Sequence, residues 1–222
     1  MNSKEKAYER LVKKRKKFIF PQGLKNPSEI KDGIYDKETQ IGPWSKWQGN
    51  LNADIMLIGQ DWGDIKFFIK CEGGHLDNSI TNQNLRKLFE SIEIDVGYPD
   101  NPNKEAPVFF TNAVLGLKED GMTGKIKNSW VEHDAKIFLK PNIDIVKPKI
   151  LITLGKKAYE ALTYIYPIKN DNLKNLINKN PIKLNDGKIL FAMYHSGHFG
   201  MLSRNLELQK TDWKKIKRYI KI

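Results

Sequence analysis

A single cysteine, Cys71, stands in the whole chain, so no internal disulfide can form and no four-cysteine zinc or iron–sulfur site can come from one copy. Long apolar runs are missing as well. None nears the roughly 18 residues a membrane span requires, and the N-terminal MNSKEKAYERLVKKRKKF lacks the apolar core of a signal peptide. These absences predict a protein with no membrane association, in a reducing, cytoplasmic setting. Histidine is scarce, at four residues. His195 and His198 have the H-x-x-H spacing of a metal pair, but no carboxylate stands at ligand spacing and only His75 and His133 remain. No metal and no other cofactor is therefore expected. Gly59 and Gly63 match neither G-x-G-x-x-G nor a P-loop, and no internal repeat recurs at a fixed period.

Acidic residues are outnumbered, 26 against 38 basic, which leaves a formal net charge of +12. Such a balance favours a polyanionic partner through phosphate neutralisation and counterion release, and DNA is the natural candidate. Lysine greatly outnumbers arginine and the chain is rich in Asn and Ile, so compositional bias accounts for part of the excess. At 222 residues, one well-cored domain and a monomer are expected. Its parts are an N-terminal helix and irregular lead-in (1–52), a core (53–205) and a C-terminal helix (206–222).

The chain is organised around Asp54 to Gly63, DIMLIGQDWG. Ile55 to Ile58 form a short apolar run ending in a Gly-Gln-Asp turn, the pattern of a buried parallel strand. A carboxylate just past such a strand, here Asp61, lies where open α/β sheets bind ligands. The alternative is that Asp61 caps the next helix or closes a turn.

Upstream, residues 3–18 read as an amphipathic helix with a basic run, Lys13 to Lys17, that suits a solvated face. Trp44 and Trp47 sit in the irregular lead-in and suit the core. Downstream, 82–93 has the spacing of a core-facing helix, and Val108 to Thr111 form a second strand that delivers Asn112. A Lys-rich polar loop spans 118–129. A helix from Trp130 to Leu139 is expected to break at Pro141. Lys149 to Leu154 form a third strand, followed by a helix from Lys156 to Tyr164. After an Asn/Lys-rich excursion, Lys188 to Tyr194 form a fourth strand that ends at His195, and a basic helix closes the chain. Alternating strands and helices predict a three-layer α/β/α domain with a central, mostly parallel four-stranded sheet. Asp61, Asn112 and His195 then all emerge from C-terminal strand ends, where they can converge on one crevice.

From about Ala53 to Asn205 the chain resembles the uracil-DNA glycosylase superfamily. Gly59-Gln60-Asp61 is similar to its Gly-Gln-Asp water-activating motif, and VFFTNAVL (108–115) to the strand carrying the uracil-reading Asn. KILITLGKKA (149–158) resembles the following strand-Gly-helix unit, and AMYHSGHFG (192–200) the His-Pro-Ser segment that enters the minor groove. Where the best-known branch has Pro-Tyr after the aspartate, this chain has Trp62-Gly63. The tyrosine that excludes the thymine methyl is thus absent, which leaves thymine exclusion open. Ser196 and Gly197 replace the usual Pro and Ser, and the lone cysteine excludes the iron–sulfur branches.

The resemblance implies a monofunctional DNA glycosylase of base excision repair that flips a damaged base out of DNA. Breaking the glycosidic bond builds positive charge on the sugar and negative charge on the base, so an anion and a donor are needed. Asp61 would position the water, and His195 would donate to O2 of the leaving base. Asn112 would read the base edge, alongside Gln60 and Trp62, with a strand-end cap as its alternative. Phe67 or Phe68 would stack on the base, although core packing suits either. Phe199 would be the wedge that fills the gap, with Met201 or Leu202 as substitutes. Ser196, Gly197, His198, Ser203 and Arg204 would meet the DNA backbone. No lysine stands beside Asp61 or His195 in sequence to suggest a Schiff base. The alternative is a nucleic-acid-binding protein that kept the fold and lost or changed its chemistry.

Overall fold

Continuous apolar runs become the parallel centre of a sheet, because a strand covered on both faces has no polar side to show. The computed structural model describes residues 2–37, 39–74 and 79–220. His75 lies outside these, as do Lys221 and Ile222 of the expected terminal helix.

The described strands are β1 (Leu24–Lys25), β2 (Ile55–Gly59), β3 (Val108–Asn112), β4 (Leu117–Lys118), β5 (Ile150–Leu154), β6 (Ile182–Lys183) and β7 (Ile189–Met193). The α-helices are α1 (Ser3–Lys16), α2 (Pro43–Trp47), α3 (Ile65–Lys70), α4 (Ile80–Glu90), α5 (Asn128–Asp134), α6 (Lys140–Val146), α7 (Lys156–Thr163), α8 (Leu173–Lys179), α9 (His198–Ser203) and α10 (Leu206–Lys214).

The central sheet has the order β3-β2-β5-β7-β6. The four strands expected from sequence pair in parallel, with Ile55 opposite both Val108 and Ile150, and Ile150 opposite Ile189. The fifth strand, β6, is antiparallel at the edge, with Ile182 opposite Leu190 and Lys183 opposite Ile189. It falls in the Asn/Lys-rich excursion, where two paired residues are too few to show a period.

Side chains alternate across the sheet into two cores. Met56, Ile58, Phe109 and Leu151 pack with Val131 of α5, Tyr159 of α7 and Leu11 of α1. Ile55, Leu57, Val108 and Phe110 pack on the opposite face with Leu85, Leu88 and Phe89 of α4 and Trp213 of α10. There the Phe89 ring stacks 5.4 Å from Phe110 and meets Trp213 edge-on at 4.9 Å. The molecule is thus an α/β/α sandwich with a mostly parallel sheet. Among the described residues, no helix is long and apolar enough to cross a membrane.

Two helix expectations change. Pro141 does not break the helix that begins near Trp130: α5 passes through one π-helical turn, Ala135–Leu139, into α6, where Pro141 falls in the first turn. The wider turn removes the need for a hydrogen bond from a nitrogen that has no proton. The terminal helix is shorter than expected, because α10 ends at Lys214 and a 3-10 turn spans Ile216–Tyr219.

The N-terminal basic run has one member inside. Arg15 is fully buried and makes a bidentate pair with Asp36, at 2.6 and 2.8 Å, and Asn26 joins the same network. This pair pins α1 to the lead-in, as planar guanidinium and carboxylate geometry allows. The tryptophans of α2 are core residues, Trp47 at 0% and Trp44 at 5% exposure.

Candidate active site

The Gly59-Gln60-Asp61 turn is stitched to the end of β3. Ala113 N–H donates to Gly59 O at 2.8 Å and Val114 N–H to Gln60 O at 3.0 Å. A Cβ at position 59 would lie 2.7 Å from the Trp44 ring and 2.8 Å from Asn112 Nδ2, so only glycine lets these three meet. Asp61 does not cap the next helix. Asp64 does, accepting from Phe67 N–H at 2.7 Å.

The Asp61 carboxylate is held from two sides. Gln60 Nε2 donates to Oδ2 at 2.7 Å, and Lys118 Nζ stands 3.6 Å from Oδ1, within ion-pair reach but beyond a hydrogen bond. Both partners of that pair are enclosed, with side-chain exposures of 3% for Lys118 and 8% for Asp61. Lys118 arrives because β4 pairs with β1, Leu24 opposite Lys118, and because its N–H donates to Gly63 O at 3.0 Å. Its ammonium then donates to the carbonyls of Met122 at 2.7 Å and Gly124 at 3.3 Å, folding that loop over the site. Gly63 has φ +133, and a Cβ there would meet Met122 Sδ at 2.8 Å. The methionine fills the space that a side chain at 63 would take.

His195 follows β7 and is half-buried. Gly197 N–H donates to its Nδ1 at 2.9 Å, which makes Nδ1 an acceptor and puts the proton of the neutral ring on Nε2. Burial pushes the imidazole pKa below its ordinary value, against the smaller upward pull of the Asp61 carboxylate. Both effects together place the two side chains in one electrostatic environment. The segment after His195 is tightly packed: Asn84 of α4 donates to Ser196 O at 2.9 Å, and a Cβ on Gly200 would lie 1.8 Å from His195 O. Among the described residues, no three His, Cys, Asp or Glu side chains cluster as metal ligands.

A cleft of about 480 Å³ brings together Gln60, Asp61, Trp62, Phe67, Lys118 and His195, with Gly197, His198 and Phe199 at its margin. Trp62 and Phe67 stand with ring centroids 6.0 Å apart. Phe199 is 77% exposed and Leu202 71%, both on α9.

Other expected site residues lie elsewhere. Phe68 is a core residue, 1% exposed, with the Tyr35 ring 6.3 Å away, so it has no face for a ligand. Ser196 is fully buried and its Oγ has no hydrogen-bond partner among the described residues, so it is closed to a phosphate. Arg204 is bound to Asp212 of α10 through Nε and, at 2.9 Å, through a terminal nitrogen. Asn112 stands beside Gly59, 4% exposed, and is not among the side chains that line the cleft. Lys118 is the site residue that sequence reading passes over. It lies far from Asp61 along the chain, within a loop that reads only as polar and Lys-rich.

No curated protein matches this chain. The family model of the uracil DNA glycosylase superfamily matches residues 47–219, a span that contains the sheet, the Gly-Gln-Asp turn, Asn112, Lys118 and His195. This chain belongs to the uracil DNA glycosylase superfamily.

Proposed function

We propose that the chain hydrolyses the N-glycosidic bond of uracil or a related deaminated base in DNA. The observation that carries this reading is Asp61 and His195 lining one cleft, with His195 Nδ1 occupied by Gly197 N–H and its Nε2 proton free to be donated. Asp61 aligns a water with C1′ and, as a carboxylate, offsets the positive charge that grows on the sugar. Gln60 engages Oδ2, which leaves Oδ1 for that water. His195 donates to O2 of the departing base, a contribution worth about 2.7 to 4 kcal/mol in comparable donors. A neutral ring suits this role, and the downward pKa shift favours the neutral form.

Phe67 and Trp62 offer the aromatic faces on which a flipped base stacks. Asn112 is assigned the base edge from its place at the end of β3, beside Gly59 of the Gly-Gln-Asp turn. Phe199 enters the space the base vacates, its exposure on α9 being that of a side chain waiting for a partner. The +12 charge supports a nucleic acid rather than a free nucleotide as substrate.

The test is base release from oligonucleotides carrying uracil, hypoxanthine, xanthine or mismatched thymine, single- and double-stranded. Release by the wild type, lost in Asp61→Asn and His195→Ala, supports the assignment. Binding to DNA without release of any base would favour a protein that keeps the fold for recognition alone.

A further inference from the structure

Hydrolysis at Asp61 makes no use of Lys118, although this side chain lies on the cleft wall with Nζ 3.6 Å from Asp61 Oδ1. Its two hydrogen bonds go to backbone carbonyls, of Met122 and Gly124. As an ammonium the side chain has three N–H donors; these two carbonyls take up two of them, and the third is left on the side of the Asp61 carboxylate. Passing that third proton to a base would free the nitrogen lone pair as a nucleophile. The Asp61 carboxylate, 3.6 Å away, is a base placed to take that proton. A lysine amine enclosed away from water is a group that forms Schiff bases with carbonyl carbons.

We propose that Lys118 gives the site a second activity: capture of the abasic sugar as a Schiff base, followed by strand cleavage. This rests on the reading that Asp61 works at C1′, because a group within 4 Å of Asp61 is then close to the same carbon. After the base has left, the sugar ring opens to an aldehyde at C1′. Asp61 takes a proton from Lys118, the amine nitrogen bonds to C1′, and the aldehyde oxygen leaves as water. Asp61, having passed its proton to that water, removes a proton from C2′. The electron pair of that C–H bond becomes the C2′–C3′ double bond as the C3′–O bond breaks, and the 3′ phosphate leaves with its electrons. A second water hydrolyses the imine, returning the lysine and an unsaturated aldehyde on the 5′ fragment. No oxidant or metal is required.

The full chain is incubated with borohydride and two oligonucleotides, one carrying uracil and one a preformed abasic site, and any covalent product is mapped by mass spectrometry. The expected result is a reduced adduct on the peptide containing Lys118 with both substrates, and a 3′-unsaturated aldehyde end when borohydride is omitted. Lys118→Arg keeps the charge and the donors and is expected to lose at least about tenfold in trapped complex. Mapping on the wild type needs no variant to fold. No adduct at Lys118 on preformed abasic DNA overturns the proposal, leaving Lys118 as an ion-pair partner of Asp61. Trapping on abasic DNA without uracil release would keep the lysine chemistry and reject the proposed base removal.

Discussion

Gly197 N–H donates to His195 Nδ1 at 2.9 Å, so a residue two positions along the chain sets which nitrogen of the imidazole carries the proton. A Cβ on Gly197 would stand 2.9 Å from that Nδ1 and 2.9 Å from Thr81 Oγ1. Its φ of −82 suits any residue, so the constraint is space alone. Gly197→Ala is expected to lower the rate of base release by about 10- to 100-fold through loss of ring orientation. DNA affinity should change far less. Single-turnover kinetics beside a binding isotherm separates the two; equal losses in both would point to a collapsed loop instead.

On the proposed mechanism, Asp61→Asn removes the acceptor for the water's proton and the charge opposite the sugar. The expected loss is on the order of 10² to 10⁴ in single-turnover rate, the usual range for a positioned general base. His195→Ala is expected to lose at least about tenfold. Measurements on saturating DNA test both; an unchanged rate in either would remove that residue from the chemistry.

The His195 imidazole has its pKa pushed below the ordinary value by burial. A group with a lower pKa folded than unfolded takes up protons more readily on unfolding, so stability is present at higher pH and is lost as pH falls from about 6.5 toward the folded value. Wild type is therefore expected to lose more Tm than His195→Gln on going from about pH 7 to pH 5. Base release should fall over the same interval, because the incoming proton goes to Nδ1, where Gly197 N–H already points. Equal Tm profiles would show that His195 does not titrate there.

Phe110 and Phe199 separate stability from function. Phe110 is fully buried between Phe89 and Trp47, so Phe110→Ala should cost about 3 to 5 kcal/mol of stability. Phe199→Ala should stay within about 0.5 kcal/mol, since its ring is 77% exposed. If Phe199 fills the gap left by a flipped base, its loss should slow release from duplex more than from single-stranded DNA. Denaturant unfolding and paired substrate assays read the two effects.

Asp134 ties the segment after Asn112 to α5, accepting from Leu115 N–H at 2.8 Å while His133 Nδ1 stands 2.8 Å from its other oxygen. Asp134→Ala leaves a buried N–H without an acceptor and should cost about 1 to 3 kcal/mol, read as a shift in the urea midpoint.

The strands that build the sheet were legible because parallel strands buried on both faces are written as unbroken apolar runs, and Ile55 to Ile58 and Ile150 to Leu154 are of that kind. Asp61 and His195 were legible as strand-end residues, because each stands within two residues of the end of its strand. The choice between Phe67 and Phe68 was not: adjacent helical residues point about 100° apart, and only the packing of α3 against Tyr35 turns Phe68 inward. Lys118 left no local signal, because its place depends on a two-residue pairing between β1 and β4 that no periodicity announces. Ser196 and Arg204 look like surface residues in sequence; burial and the bond to Asp212 are tertiary facts.

Trp44 lines the cleft, and its ring lies against Gly59, yet the family match begins at residue 47. The matched span and the enclosed cleft therefore have different edges. A chain trimmed to the matched span would keep Asp61, Lys118 and His195 and lose a wall of the vessel that holds them, together with the Arg15–Asp36 clasp upstream of it. The smallest piece that preserves the shape of this cleft is set by what encloses it and reaches into the N-terminal segment.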